Sequence, residues 1–182
     1  RDCFFTGVAE GAIGTDRIIK MFDVVDDQLV IESKGILSIE NFLNARRLMY
    51  WQVYLHKTSI CAEVMLIQAV KRARELAMSG DSVFASPDFA LFLNNTVTIQ
   101  QFKENPAYLQ SFTQIDDYDV WACLKAWVKH PDFVLSTICQ KILDRKLYKI
   151  RFSDQPFDQS HFQKIHQQLR DQGISDGWHD YF

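Results

Sequence analysis

Arg46-Arg47-Leu48-Met49-Tyr50-Trp51-Gln52-Val53-Tyr54-Leu55-His56-Lys57 sits inside a longer run, residues 38–77, whose apolar residues recur at a helical period. Ser38 is a good N-cap and Glu40 falls in the first turn, so the spacing predicts a helix starting there. About forty residues is long for one helix of a globular protein, and a break near residues 56–59 predicts two consecutive helices. At about 100° per residue from Arg46, Tyr50 falls near 40°, Tyr54 near 80° and Lys57 near 20°. One face then presents a guanidinium, two phenols and an ammonium. A guanidinium forks two phosphate oxygens and a phenol ring stacks on a base or sugar, so the face suits a phosphorylated, ring-bearing ligand. The ordinary alternative is an amphipathic helix with a solvated basic edge and its rings in the core.

The elements around this run are also mostly helical. Met65, Leu66, Ala69, Val70, Ala73, Leu76 and Ala77 share one arc of the second helix, while Gln68, Lys71, Arg72, Arg74 and Glu75 share the other. Ser79-Gly80-Asp81 ends it. Ser86-Pro87-Asp88 opens a short helix, Asp116-Asp117 caps another, and Pro131-Asp132 starts a third close behind, which predicts antiparallel packing. A polar helix is expected over residues 159–172. Before the central run, Thr15 is expected to cap a helix over residues 16–22. Gln28-Leu29-Val30-Ile31-Glu32 then alternates like a strand, with Asp26-Asp27 as its turn. Leu147-Tyr148-Lys149-Ile150-Arg151-Phe152 alternates apolar and basic residues like a half-buried strand, and the aromatic last residues are expected to begin its partner. The expected fold is mainly α, a helical bundle with a few short strands and α+β character in the C-terminal third. Residues 1–146 are expected to form the helical body and 147–182 a small appendage.

A chain of 182 residues, 47% hydrophobic and 13% aromatic, can bury a substantial core and is not disordered. Its net charge of −3 gives no global attraction for nucleic acid or an anionic membrane, so any anion site is local. Cys3, Cys61, Cys123 and Cys139 are far apart and form no C-x-x-C pair, which fits reduced thiols in the cytoplasm better than a disulfide frame or zinc site. No apolar run reaches the length of a membrane span.

The catalytic inventory is thin. The glycines at 7, 11 and 14 match neither a Walker A loop nor G-x-G-x-x-G, and no G-x-S-x-G elbow occurs. The five histidines, His56, His130, His161, His166 and His179, form no H-x-x-x-H pair. His179-Asp180 has no second histidine near it in sequence and reads as coincidence. The carboxylate pairs are explained by turn and cap duty.

Arg1-Asp2-Cys3-Phe4-Phe5-Thr6-Gly7, followed by Phe42-Leu43-Asn44-Ala45-Arg46 and Tyr50-Trp51-Gln52-Val53-Tyr54-Leu55-His56-Lys57, resembles the HD-domain phosphohydrolases, in their bacterial deoxynucleotide triphosphohydrolase-like branch. Asp116-Asp117-Tyr118-Asp119-Val120-Trp121 and Leu143-Asp144-Arg145-Lys146-Leu147-Tyr148-Lys149 resemble that branch's C-terminal region. The resemblance implies a mostly helical HD fold in which a histidine, a His-Asp pair and a further aspartate hold divalent metal. Metal-activated water then attacks a phosphate ester. The first histidine and the His-Asp step are missing here, and the last metal aspartate would precede Arg1. The resemblance therefore places the metal ligands upstream of Arg1 and no catalytic or metal residue within the chain.

By the same resemblance, Asp2 accepts a sugar hydroxyl, Arg46 lines the phosphate pocket, and Tyr54 lies against the nucleoside. Tyr50 stands where some relatives carry histidine. His56 and Lys57 match positions that touch an effector nucleotide at a subunit interface in regulated relatives. The expected function is the C-terminal portion of a metal-dependent HD phosphohydrolase acting on nucleotides, dNTPs in particular, with a homo-oligomeric parent. The alternative is a non-catalytic nucleotide-sensing or subunit-assembly module. Nucleic-acid binding through Arg46, Arg47 and Lys57 is a third reading, disfavoured by the acidic net charge.

Overall fold

In the computed structural model, which describes residues 2–174 and 181, the chain divides into two units, residues 1–60 and 61–182. The first opens with α1 (Asp2–Thr6), a 3₁₀ turn (Ala9–Gly11) and α2 (Thr15–Ile19). The helix expected over residues 16–22 stops early, because Phe22 already begins β1 (Phe22–Val25). That strand pairs antiparallel with β2 (Gln28–Ile31) in the register Phe22 to Ile31 and Val25 to Gln28. Asp26 and Asp27 turn the hairpin at φ 50° and 60°, the left-handed pair that a two-residue hairpin loop demands and that aspartate tolerates.

A 3₁₀ turn (Ser33–Gly35) leads into α3 (Ile36–Met49). The helix starts two residues before Ser38, so Ser38 lies in its first turn rather than at its cap. It then widens into one π turn (Tyr50–Tyr54), where the Leu55 amide reaches back five residues to the Tyr50 carbonyl at 2.7 Å. The expected break follows, and α4 (Lys57–Met78) begins after it.

The second unit is a helical bundle. Cys61, Met65, Ala69, Ala73 and Leu76 recur every three or four residues along α4 and are buried. They share one core with Phe89 and Leu93 of α5 (Pro87–Asn94), Leu124 and Trp127 of α8 (Asp117–Trp127), and Leu135 and Ile138 of α9 (Phe133–Leu143). Trp127 is 1% exposed, and its indole donates to the Phe84 carbonyl at 2.8 Å, so the ring is buried with its one polar atom satisfied. Asp116 caps α8 in a capping box with Asp119, and Asp132 caps α9 through the Leu135 amide. Helices α8 and α9 pack together across their short connection.

Two short helices, α6 (Ile99–Glu104) and α7 (Pro106–Gln114), had no counterpart in the sequence reading. Their signals were present: Thr98 and Gln101 form a capping box, and Asn105-Pro106 is an N-cap followed by proline.

The C-terminal third corrects the sequence reading. Residues 147–152 form no strand, and α10 (Gln159–Asp171) follows after an irregular stretch. Tyr148 and Ile150 do turn toward the core, as the alternation implied. However, no neighbouring strand among the described residues offers a ladder, and the Tyr148 carbonyl accepts from the Cys61 thiol at 3.0 Å. The α+β character expected there is absent among the described residues, where the hairpin in the first unit is the only sheet. The boundary expected near residue 146 falls inside the second unit, where Leu147, Tyr148 and Ile150 pack on its core. The partner strand expected at the end of the chain, and His179-Asp180, lie outside the described residues apart from Tyr181. Among the described residues no helix is long and apolar enough to cross a membrane.

Candidate functional site

Arg46 lies in the last turn of α3, where a cation interacts favourably with the helix dipole. Four residues on, Tyr50 opens the π turn, and its hydroxyl lies 3.4 Å from Arg46 Nη2 with the guanidinium carbon 5.2 Å from the ring centre. Tyr54 closes the turn and meets Tyr50 edge to face, ring centres 5.1 Å apart. The wider π turn keeps these rings on one side of the helix end, and single π turns are frequent at functional sites.

Across from them, Asp2 at the start of α1 accepts from the Tyr54 hydroxyl at 2.5 Å. This hydrogen bond raises the Tyr54 pKa above its ordinary value, with smaller contributions from burial and from the Asp2 charge.

Asp2, Arg46, Tyr50 and Tyr54 line one cavity of about 460 Å³, with Ala45, Met49 and Gly11 among its other walls. Gly11 lies close to two sulfur-bearing side chains there. A Cβ on it would stand 2.3 Å from Cys3 Sγ and 2.6 Å from Met49 Sδ. The four residues named from sequence for substrate binding thus converge, although Asp2 and Tyr54 are 52 positions apart. The cavity offers a guanidinium for an anion, two ring faces, and a carboxylate that can accept from a hydroxyl.

His56 and Lys57 are not among its lining residues. The helical spiral that put Lys57 beside Arg46 is interrupted at Leu55 and His56, and His56 Nδ1 accepts from the Thr58 amide at 3.2 Å at the start of α4. On the other side of Arg46, sequence reasoning missed a second hollow of about 470 Å³, lined by Leu43, Arg46, Arg47, Tyr50, Trp51 and Leu55. Arg47 stands 5.8 Å over the Trp51 ring there. Its signal was the repeated four-residue pairing of arginine and ring, 46 with 50 and 47 with 51.

Among the described residues no three His, Cys, Asp or Glu side chains are grouped to hold a metal ion.

Residues 13–96 match the family model of the HD associated region, which covers α3, the π turn and α4. A solved structure of a phosphohydrolase from Bacteroides thetaiotaomicron superposes with a TM-score of 0.93 at 52% identity, over all of this chain and 45% of that one. Over these stretches the chain is similar to an HD associated region and to a solved phosphohydrolase. It is 29% identical over 149 residues to the Bacillus subtilis protein YwfO, and 27% identical over 161 residues to MG461 of Mycoplasma genitalium. It spans about a third of the length of these curated relatives, 32% and 37% respectively.

Proposed function

We propose that residues 1–60 form the sugar- and phosphate-facing wall of a nucleotide site in a metal-dependent phosphohydrolase acting on deoxynucleoside triphosphates. The observation that carries this reading is the convergence of Asp2, Arg46, Tyr50 and Tyr54 on one cavity. Arg46 binds phosphate oxygens, the phenol rings pack against the sugar and base, and Asp2 accepts a sugar hydroxyl by exchanging its bond from Tyr54. A divalent metal would be held by residues outside this chain and, when bound, would activate water and neutralise phosphate charge. The four free cysteines accord with a reducing compartment such as the cytoplasm.

Exposure in the first unit supports its being one wall of something larger. Phe4 is 84% exposed, Phe5 74% and Trp51 68%, while its buried hydrophobics are few and include Ile18, Ala45 and Met49. Apolar surface of this kind marks packing against more protein.

The full-length protein, given dNTPs and Mn²⁺ or Mg²⁺, is expected to release phosphate or triphosphate in a chelator-sensitive way. Arg46→Gln is expected to lower that rate by about 100-fold while leaving the circular dichroism unchanged. Absence of turnover on every dNTP would overturn the enzymatic reading.

The competing function is a non-catalytic nucleotide-sensing or subunit-assembly module, favoured by the exposed Trp51 under Arg47. In a homo-oligomer, His56 and Lys57 would then serve an effector nucleotide. Saturable dNTP binding without turnover would support it.

A further inference from the structure

Residues 22–30, which make up most of the β1–β2 hairpin, are all exposed. The pairing of Phe22 with Ile31 and of Val24 with Leu29 puts these four side chains on one face of the ribbon, which is wholly apolar. Its base is partly covered, where Ile31 lies beside Gly35, but at its outer end Val24 is 63% exposed and Leu29 71%. A lone two-stranded hairpin is marginally stable in water, so a ribbon with a bare apolar face calls for a covering surface. Its tip is acidic. Asp26 and Asp27 stand side by side in the turn, and no salt bridge among the described residues engages either.

The same unit carries a surface of the opposite kind. The hollow bounded by Leu43, Arg46, Arg47, Tyr50, Trp51 and Leu55 holds two guanidiniums, and no carboxylate is among its described lining residues. Neither arginine joins a salt bridge among the described residues, and Leu43, Trp51 and Leu55 are exposed around them. Arginine, tyrosine and tryptophan are the residues that most often dominate the energy of protein interfaces. An acidic tip with apolar flanks and a cationic hollow with an apolar rim are complementary in charge and character, and both are exposed within residues 1–60.

We propose that this hollow receives the hairpin tip of a second copy of the chain, so that two copies exchange Asp26 and Asp27 reciprocally about a two-fold axis. Arg47 takes the carboxylates, while Val24, Val25 and Leu29 cover Trp51, Leu43 and Leu55. Every copy carries both halves of the contact, so the symmetry repeats it and the pair closes. Arg47 does not line the Asp2–Tyr54 cavity, whereas Arg46 lines both, so the docked tip abuts the first cavity. The inference rests on the subunit-assembly reading only in requiring self-association, and it holds with or without hydrolysis.

The test is sedimentation of the full-length protein at micromolar concentration, where dimers or multiples of dimers are expected. Arg47→Glu sets a carboxylate against the acidic tip and is expected to weaken association about 100-fold, whereas Arg47→Lys retains it. Asp26→Asn with Asp27→Asn, which keeps residues that tolerate the turn, is expected to weaken it about tenfold. Circular dichroism is expected to stay unchanged in each variant. As a second measurement, a mixture of Gln28→Cys protein and Leu43→Cys protein, treated with a short bismaleimide, is expected to cross-link between copies at positions 28 and 43, read by peptide mass.

A protein that stays monomeric would overturn both this interface and the assembly reading. Association that survives Arg47→Glu and the paired asparagine variant would overturn this interface and leave the assembly reading standing. Absence of the 28-to-43 cross-link in an associated mixture would also overturn it.

Discussion

Arg72 grips Asp132 at two points, Nε to Oδ1 at 3.2 Å and Nη2 to Oδ2 at 2.7 Å, joining the middle of α4 to the N-cap of α9. Both side chains are largely shielded, 19% and 10% exposed. Asp132 also accepts from the Leu135 amide at 2.8 Å, so one carboxylate starts a helix and anchors it. The Arg72 guanidinium stands 5.8 Å over the Tyr181 ring, and the Tyr181 hydroxyl donates to Glu75.

Arg72→Ala is therefore expected to destabilise the protein by about 2 to 3 kcal/mol, since it leaves a shielded carboxylate without its cation. Urea unfolding measures this, and a loss of under about 0.5 kcal/mol would show the pair to be an ordinary surface bridge. Burial works to raise the Asp132 pKa, but the Arg72 hydrogen bonds, the Leu135 amide and the charges of Arg72 and His130 outweigh it and hold it below its ordinary value. A lowered carboxyl pKa gives stability that is present above about pH 4 and lost as pH falls through the lowered value. Asp132→Asn is expected to flatten that acid limb, and an unchanged limb would assign it to other carboxylates.

The bond between Tyr54 and Asp2 makes a spectroscopic prediction. Because the hydrogen bond to Asp2 raises the Tyr54 pKa, with burial and the Asp2 charge adding to it, this tyrosine is expected to ionise later than an ordinary one. Asp2→Asn brings its titration back toward about pH 10. The difference in tyrosinate absorbance between the wild type and Tyr54→Phe isolates the group. Identical midpoints with and without Asp2→Asn would mean the bond is not formed in solution.

The thiols separate by burial. Burial pushes the Cys123 thiol up to about 11 and Cys139 up to about 12. Cys61 is buried and bonded to the Tyr148 carbonyl, whereas Cys3 is half-buried beside the first cavity. At pH 8 a disulfide reagent is expected to label Cys3 alone in the native protein and all four in urea, because attack needs an accessible thiolate. Rapid native labelling of Cys123 or Cys139, read by peptide mass, would contradict the core described above.

The sequence alone made most of the longer helices and several of their caps legible, because those depend on residues three or four apart, whereas α6 and α7 were not read from it. The α4 stripe, the caps at Asp116 and Asp132 and the aspartate turn were legible for that reason. It also supplied Asp2, Arg46, Tyr50 and Tyr54 as a candidate set, through motif resemblance rather than spacing. Only the tertiary structure decided whether they meet: Asp2 at the start of α1 reaches Tyr54, and the helical spiral is interrupted at Leu55 and His56 so that Lys57 does not line their cavity. It likewise decided that residues 147–152 join no β-ladder among the described residues and that Lys149 and Arg151 line a cavity with residues of α10. A strand needs a partner to accept its hydrogen bonds, and a cavity needs walls from distant segments. Neither condition is written in the local pattern of side chains.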